Sequence, residues 1–185
     1  MIDNGSSNGS SNGGTIEYRT ARPADRPQLD GLDDSFRTAE VFVVTAREDG
    51  FDLRPVPVDP PLHKKYPQDD DLDEAEHTVV AVEGGRIVGF VALGHEEWNR
   101  RLAVRQITVA DAHRARGIGR ELMARAEAYG RELRARTLWL EVTSVNAPAV
   151  RAYRRLGFAL SGLDTTLYTG TPAEGEIALF MSKAL

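Results

Sequence analysis

Two glycines, Gly117 and Gly119, stand where the sequence pattern changes from a strand to a helix. Such a turn leaves the first backbone amides of the helix without intrahelical partners, and the positive end of the helix dipole lies behind them. The usual ligand of these amides is a phosphate or a pyrophosphate. Guanidinium groups also match phosphate oxygens, and arginines surround the loop at Arg114, Arg116 and Arg120. We therefore predict an anion site at this loop.

The loop differs from two common nucleotide-binding loops. No Gly-Lys-Ser or Gly-Lys-Thr follows it, so it is not a Walker loop. It also lacks the third glycine of the dinucleotide fingerprint, and no acidic residue ends the following strand in the required register. A Gly-x-Gly pair is a weak signal alone, but the preceding strand, the following helix and the arginines strengthen the prediction of a phosphate ligand.

Two further polar residues lie downstream of the loop. Asn146 is placed to cap a helix that has Pro148 in its first turn. Tyr153 lies on the same helical stripe as Val150 and Leu156, which is typical of a core tyrosine with a satisfied hydroxyl. A tyrosine in a site can instead act as a positioned acid. The pattern alone leaves both interpretations of Tyr153 open.

These motifs together resemble the acyl-CoA N-acyltransferase (GNAT) superfamily in their order, spacing and flanking elements. The segments are Arg114-x-x-Gly117-x-Gly119, Asn146-x-Pro-Ala and Tyr153-x-x-x-Gly157-Phe158. The resemblance implies that acetyl-CoA is the cofactor. It also implies that the pyrophosphate lies on the loop amides, which include those of Gly117, Ile118 and Gly119.

The same resemblance assigns roles to residues on both sides of the loop. The pantetheine arm of the cofactor is expected to pair with the backbone of the preceding strand, at Ile107, Thr108 and Val109. Tyr153 matches the tyrosine that protonates the departing CoA thiolate. Asn146 matches a polar contact near the pantetheine and the acyl carbonyl.

Other segments resemble the streptothricin acetyltransferases, at residues 56–62, 98–102, 138–143 and 162–168. This narrower resemblance implies acetyl transfer to a primary amine in the β-lysine part of streptothricin, a cationic antibiotic, and hence resistance. Two alternatives stay open. The acceptor is another amine (a polyamine, an aminoglycoside or a protein N-terminus), or the chain is a non-catalytic acyl-CoA sensor, against which Tyr153 and Asn146 argue.

A lysine-like amine must lose a proton before it attacks, which at pH 7 costs about 4.6 kcal/mol. Many GNAT members carry a glutamate for this purpose on the strand that here reads 105–108, and this strand has no acid. We predict Glu141 on the neighbouring strand as the base, although an exposed or ion-paired strand glutamate is the plainer interpretation. Glu96, Glu97 and Asp164 are the other candidates, and a water chain is a further route for the proton.

The acceptor site is predicted from residue type and family position. Trp98 and Tyr168 offer aromatic faces that favour a cation. Asp33 and Asp34 end the first helical region, where GNAT members build the acceptor wall. Glu97 and Asp164 add carboxylates. An ordinary packing or surface role remains the alternative for each of these residues.

The composition excludes several classes of protein. The chain has 185 residues, a formal net charge of −5 and no cysteine, so neither a disulfide nor a cysteine nucleophile is possible. The four histidines lack metal-ligand spacing, so no metal is expected. No apolar run spans a bilayer and no signal peptide is visible, so we expect a soluble, cytoplasmic protein without a membrane partner. The negative net charge argues against binding of nucleic acid. A homodimer is possible.

The elements that must position these residues follow from periodicity. We predict a strand at 102–109, a helix from 118, a strand at 137–143 and a helix after Asn146. Further strands are predicted at 15–20, 41–46, 51–58, 78–82, 86–93, 158–160 and 176–182, with a short helix at 26–32. Residues 1–14 are expected to form a disordered tail and 15–185 a single domain. The predicted fold class is α+β (α/β GNAT-like), with a central mixed, mostly antiparallel sheet and helices on both faces.

Overall fold

Strands with alternating apolar residues build the centre of the protein. A computed structural model describes residues 14–66 and 72–185 of the chain. The predicted tail at 1–14 therefore lies outside this part except for Gly14, and so does most of the acidic run that begins at residue 67. The elements are β1 (Glu17–Thr20), α1 (Arg26–Asp30), β2 (Phe36–Arg47), β3 (Gly50–Lys64), β4 (His77–Glu83), β5 (Arg86–Glu96), β6 (Arg101–Val109), α2 (Ile118–Glu132), β7 (Thr137–Thr143), α3 (Ala147–Arg155), β8 (Ala159–Asp164) and β9 (Ala178–Ala184).

Seven strands form one sheet in the order β1-β4-β5-β6-β7-β9-β8. All neighbours in it are antiparallel except β6 and β7, which run parallel. A parallel pair needs a crossover connection, and α2 supplies it between these two strands. The predicted mixed, mostly antiparallel sheet is confirmed.

The two faces of the sheet are buried under different helices. Val79 and Ala81 of β4 belong to the larger core cluster, together with residues of α2 and α3. Val80 and Val82 point the other way and pack with Leu29 of α1 in a smaller cluster. Since successive strand residues face opposite sides, this division places helices on both faces of the sheet.

The β2–β3 hairpin forms a separate two-stranded sheet, with longer strands than the predicted ones. The prolines of the second arm suggested an irregular segment, yet Pro55 and Pro57 lie within β3, opposite Phe42 and Glu40. In a two-stranded sheet each strand is an edge, so a proline can turn its missing donor away from its partner. The hairpin meets the main sheet through a hydrogen bond from the Phe42 amide to the Ser144 carbonyl at 2.8 Å.

The parallel strands β6 and β7 separate partway along their length. They pair only from Arg101 to Val104 of β6, opposite Thr137 to Leu140 of β7. The register of β6 against β5 also shifts between Val104 and Gln106, which makes Arg105 the extra residue of a β-bulge. A bulge bends its strand and increases the local twist. The bend opens the sheet beside residues 105–109, where the pantetheine contacts are predicted.

Among the described residues, no helix combines the length and the apolar character needed to cross a membrane.

Candidate active site

The glycine loop leads into α2 as the sequence predicts. Gly117 has φ +84° and directly precedes Ile118, the first residue of the helix. Space does not require a glycine here, because a Cβ on Gly117 would meet nothing within 4 Å. The left-handed backbone does favour glycine, since an L-residue there is strained. Ile118 is 2% exposed and anchors the first turn in the core, so the first amides of α2 face outward from a fixed base.

The three predicted arginines have different surroundings. Arg114 is held by the backbone, since its Nε donates to the Val109 carbonyl at 3.0 Å and its Nη2 to the Ser35 carbonyl at 2.8 Å. Arg116 forms a two-pronged ion pair with Glu83, whose carboxyl pKa this guanidinium lowers. Arg120 is exposed on the first turn of α2. Arg114 is therefore held in place by backbone carbonyls, and Arg116 is paired with Glu83.

A cavity of about 760 Å³ lies beside this loop, between α2 and α3. We call it the loop cavity, and its lining includes Ile107, Val109, Arg114, Gly117, Gly119 and Arg120. Ile118 also lines it, whereas Arg116 is not among its lining residues. Its lining combines the end of β6 with the first turn of α2, Arg114 and Arg120, which suits a ligand with an anionic group.

A second cavity of about 1090 Å³ lies where β6 and β7 separate. We call it the sheet cavity, and its lining includes Gln106, Thr108, Glu141, Asn146, Tyr66 and Tyr168. Ile107 and Tyr153 line both cavities. A ligand in the loop cavity and a ligand in the sheet cavity would therefore meet at these two residues.

Tyr153 reaches this junction from α3. Asn146 caps the helix, because its side-chain oxygen accepts from the Ala149 amide at 3.2 Å, and the predicted cap is confirmed. The tyrosine ring is partly buried and packs against Phe158, with the ring centroids 5.9 Å apart. Burial raises the pKa of the Tyr153 hydroxyl, and the nearby Glu141 carboxylate raises it further. At neutral pH the hydroxyl is therefore a proton donor at the point where the cavities meet.

Glu141 faces the sheet cavity from β7, beyond the last residue that pairs with β6. The hydroxyl of Tyr168 donates a hydrogen bond to its Oε1. Burial is the first cause of the raised pKa of Tyr168, and this hydrogen bond to the carboxylate is the second. The predicted acceptor residue Tyr168 thus orients the predicted base, and both lie in one cavity with Tyr153.

Asp33 and Asp34 also line the sheet cavity, at the end of the segment that follows α1. Asp33 accepts hydrogen bonds from the amide and the hydroxyl of Ser35, at 3.1 and 3.0 Å, and these lower its carboxyl pKa. Lys65 lies 3.8 Å from the same carboxylate. The structure brings both aspartates to the cavity, at some distance along the chain from Glu141.

Three predicted acceptor residues lie elsewhere. Glu97 and Trp98 belong to a short 3-10 helix between β5 and β6, and Trp98 is 87% exposed. That turn precedes β6, whereas the sheet cavity is lined by Val104 to Thr108, the middle and the far part of the strand. Asp164 instead closes a turn by accepting from the amides of Thr166 and Leu167. The structure does not bring these three side chains to the sheet cavity, and Glu96 bonds to Asn99 in the same remote turn.

Tyr66, Thr143 and Glu176 also belong to this region, and the sequence analysis missed them. Tyr66 and Thr143 line the sheet cavity. Glu176 lies behind it and is 7% exposed. A partial signal was available, because Glu176 is the first residue of the strand predicted at 176–182, where a charge would be buried, but no motif marks any of the three residues. Among the described residues, no group of His, Asp or Glu is placed to hold a metal ion.

Comparison with known proteins gives a family match and several similar chains. The acetyltransferase (GNAT) family matches residues 26–158. A streptothricin acetyltransferase from Streptomyces lavendulae is 52% identical over 180 residues, which cover 92% of this chain and 95% of that protein. Streptothricin acetyltransferase A of Bacillus subtilis is 29% identical over 126 residues, which cover 65% of this chain and 72% of that protein.

Two crystal structures extend the comparison to three dimensions. A nourseothricin acetyltransferase has a TM-score of 0.86 at 52% identity, over 91% of this chain and 98% of that one. A Bacillus anthracis protein in complex with acetyl coenzyme A has a TM-score of 0.78 at 23% identity, over 92% of this chain and 100% of that one, and shows the shared fold. The family match covers more than half of the chain and agrees with the splayed strands, the glycine loop and the capped α3. This chain is a member of the acetyltransferase (GNAT) family.

Proposed function

We propose that this acetyltransferase transfers an acetyl group from acetyl-CoA to a primary amine of streptothricin, in its β-lysine part, and thereby confers resistance. The observation that carries the proposal is the junction of the loop cavity and the sheet cavity at Ile107 and Tyr153. Two ligands that meet at a proton donor can exchange a group directly. The chain has no cysteine that would hold the acetyl group in between.

The loop cavity fits acetyl-CoA by the chemistry of its lining. The first-turn amides of α2, with Arg120 beside them, suit the pyrophosphate. The end of β6 has separated from β7, so the backbone of Ile107, Thr108 and Val109 is available on that side for the pantetheine amides. Acetyl-CoA supplies an activated thioester when bound. We assign Asn146 to a polar contact near its acyl end, at the start of α3.

Tyr153 serves as the acid in the proposed reaction. Its raised pKa keeps the hydroxyl protonated, so it can deliver a proton to the leaving sulfur as the carbon–sulfur bond breaks. Backbone amides of the separated strand are the candidate donors to the oxygen that gains negative charge. The two groups act from opposite sides of the junction.

Glu141 binds the amine of the acceptor and accepts its proton in the proposed reaction. Its carboxylate attracts the protonated amine, and Tyr168 holds the carboxylate through its hydrogen bond. Glu141 accepts one proton from the amine, directly or through water, in the step that costs roughly 4.6 kcal/mol for a lysine-like amine at pH 7. The neutral amine then forms the new carbon–nitrogen bond.

The choice of streptothricin is supported by two observations. The 52% identical relative from Streptomyces lavendulae is a streptothricin acetyltransferase, and the similarity extends over 92% of this chain. The lining of the sheet cavity also carries four carboxylates, at Asp30, Asp33, Asp34 and Glu141, against three basic side chains, at Arg26, Lys65 and Arg105. The carboxylates suit an acceptor with several positive charges.

The test is release of CoA thiol from acetyl-CoA with streptothricin, with spermidine and with an aminoglycoside in separate reactions. The proposal predicts fast release with streptothricin and a product heavier by one acetyl group, located on the β-lysine part by fragmentation mass spectrometry. Fast release only with another amine would retain the acetyltransferase and discard streptothricin. Binding of acetyl-CoA without release on any amine would favour an acyl-CoA sensor.

A further inference from the structure

Tyr66 is fixed in the wall of the sheet cavity by its hydroxyl. The hydroxyl donates to Glu176 Oε2 at 2.5 Å. Burial raises the pKa of Tyr66, and the hydrogen bond to the carboxylate raises it further, so the hydroxyl stays a donor. The ring lies next to Phe36, with centroids 6.3 Å apart, and the Lys64 ammonium lies 5.3 Å from its centroid. Both the ring and the hydroxyl of this side chain thus have fixed neighbours.

Glu176 joins two parts of the chain that are distant in sequence, residues 64–66 and the end of β7. Besides Tyr66, the hydroxyl of Thr143 at the end of β7 donates to its Oε2 at 2.5 Å. Lys64 at the end of β3 lies 2.5 Å from its Oε1. A carboxylate that is 7% exposed is costly to bury unless it is paired, and these partners compensate the charge. The carboxylate therefore ties the open end of the hairpin to the main sheet.

The end of the β2–β3 hairpin that Glu176 holds is the part that borders the sheet cavity. Lys65, Tyr66 and Phe36 line the sheet cavity but not the loop cavity. The Glu141 carboxylate also contributes to the raised pKa of Tyr66, which places the Tyr66 hydroxyl within electrostatic reach of the predicted base. A change at Tyr66 should therefore affect the acceptor and leave acetyl-CoA binding alone.

We propose that Tyr66 is an acceptor-contacting residue and that Glu176 is a positioning residue that holds it, with Thr143 as the second anchor. The proposal rests on the acetyltransferase function proposed above. Glu176 touches no substrate itself. It fixes the position of Tyr66 relative to the Glu141–Tyr168 pair in the same cavity, and so sets the space available to the cationic acceptor.

The test compares steady-state constants of Tyr66→Phe, Glu176→Ala and the double variant with those of the wild-type enzyme. Each single change should raise the KM for the acceptor about 5- to 20-fold, because a wall held by hydrogen bonds becomes loose. The KM for acetyl-CoA should change less than about twofold. The double variant should resemble either single one, because both remove the same contact.

Conservative variants separate positioning from general stability. Thr143→Ser keeps a hydroxyl for Glu176 and should retain the wild-type acceptor KM, whereas Thr143→Val should raise it. Thermal unfolding of every variant provides the measure of folding. Unchanged acceptor KM values, equal increases for both substrates, or additive effects in the double variant would each overturn the proposal.

The wild-type enzyme in the same assay reports on the function itself. Turnover of an amine by the wild type with no change in the variants would reject the Tyr66–Glu176 proposal alone. Absence of turnover on every amine would reject the proposed function and this proposal with it.

Discussion

Tyr153 and Glu141 occupy the same small region but face different tasks. Tyr153 lies at the junction of the two cavities, and burial raises the pKa of its hydroxyl. Glu141 lies only on the acceptor side, where Tyr168 donates to it. A tyrosine hydroxyl that stays protonated and a carboxylate on the acceptor side provide an acid and a base for the two proton transfers of acetyl transfer.

Replacement of Tyr153 by phenylalanine should lower kcat by about 100-fold or more, because a positioned general acid contributes on this scale. The ring keeps its contact with Phe158, so the KM for acetyl-CoA and the unfolding temperature should change little. Thiol release under saturating substrates measures the effect. Tyr129→Phe makes the same change on a ring that stacks on His77 and should keep the wild-type rate. A Tyr153→Phe enzyme with most of its kcat would refute the assignment.

Replacement of Glu141 by glutamine should lower kcat/KM for the cationic acceptor by about 10- to 100-fold, because the charge is lost while an acceptor for the Tyr168 hydroxyl remains. The defect should diminish as the pH rises toward the amine pKa, since the neutral amine then forms without help. A pH profile of kcat/KM from 6 to 10 provides the measurement. Glu48→Gln, in the exposed β2–β3 turn, is the control. Equal losses at all pH values would argue against a role in deprotonation.

At the scale of elements, two local deviations from regular structure create the site. The bulge at Arg105 accompanies the separation of β6 from β7, and the left-handed Gly117 lets α2 begin with its amides turned outward. Neither deviation serves the core, which is built from the regular parts of the same elements. The separated strand opens the sheet where we propose that the acetyl group passes, and the helix start provides the proposed anion site.

Replacement of Gly117 by alanine should raise the KM for acetyl-CoA about 5- to 20-fold, because alanine at φ +84° costs roughly 1–2 kcal/mol and the loop would relax away from the anion site. The acceptor KM should stay within about twofold. Gly85→Ala is the matched control, since Gly85 also has a positive φ, of +79°, and empty space around its Cα, but lies in the β4–β5 turn. Equal acetyl-CoA KM values in both variants would contradict a role for the loop.

The segment that enters α1 is anchored by an ion pair that acid should weaken. The Arg19 guanidinium binds the Asp25 carboxylate at 2.6 and 3.0 Å and is the first cause of its pKa of about 2, below the usual 3.8. Because the folded pKa is the lower one, this stabilisation is complete above pH 3.8 and disappears as the pH falls through about 2.

Asp25→Asn should therefore lower the free energy of unfolding by about 1–3 kcal/mol at pH 7. The difference from wild type should narrow between pH 4 and pH 2. Urea unfolding followed by circular dichroism measures both values. Asp52→Asn, which breaks the exposed pair with Arg47, should cost less than about 1 kcal/mol. A constant difference at all pH values would exclude the ion pair as its source.

The sequence was most informative where chemistry depends on local pattern. The strand at 137–143, the start of α2 at Ile118 and the Asn146 cap depend on periodicity and on neighbouring residues, and all three were predictable. The Tyr66–Glu176 contact joins residues 110 positions apart, so no local pattern encodes it. Trp98 shows the converse, since its residue type suited a cation site but its turn precedes β6 and its side chain does not line the sheet cavity.

At the scale of the whole molecule, the two proposed substrates have separate cavities. The loop cavity lies between α2 and α3, whereas the sheet cavity is closed by the β2–β3 hairpin and the segment before β9. Their lining residues overlap at the separated end of β6 and at Tyr153. The net charge of −5 also favours approach of a cationic acceptor over long range. This arrangement lets both substrates be bound together before reaction.

Direct transfer between two bound substrates is the central claim, and initial velocities measured over a grid of acetyl-CoA and streptothricin concentrations test it most directly. Transfer within a ternary complex predicts double-reciprocal lines that intersect, and no labelled CoA should exchange into acetyl-CoA without the acceptor. Parallel lines together with such exchange would reveal an acetylated enzyme and would contradict the account.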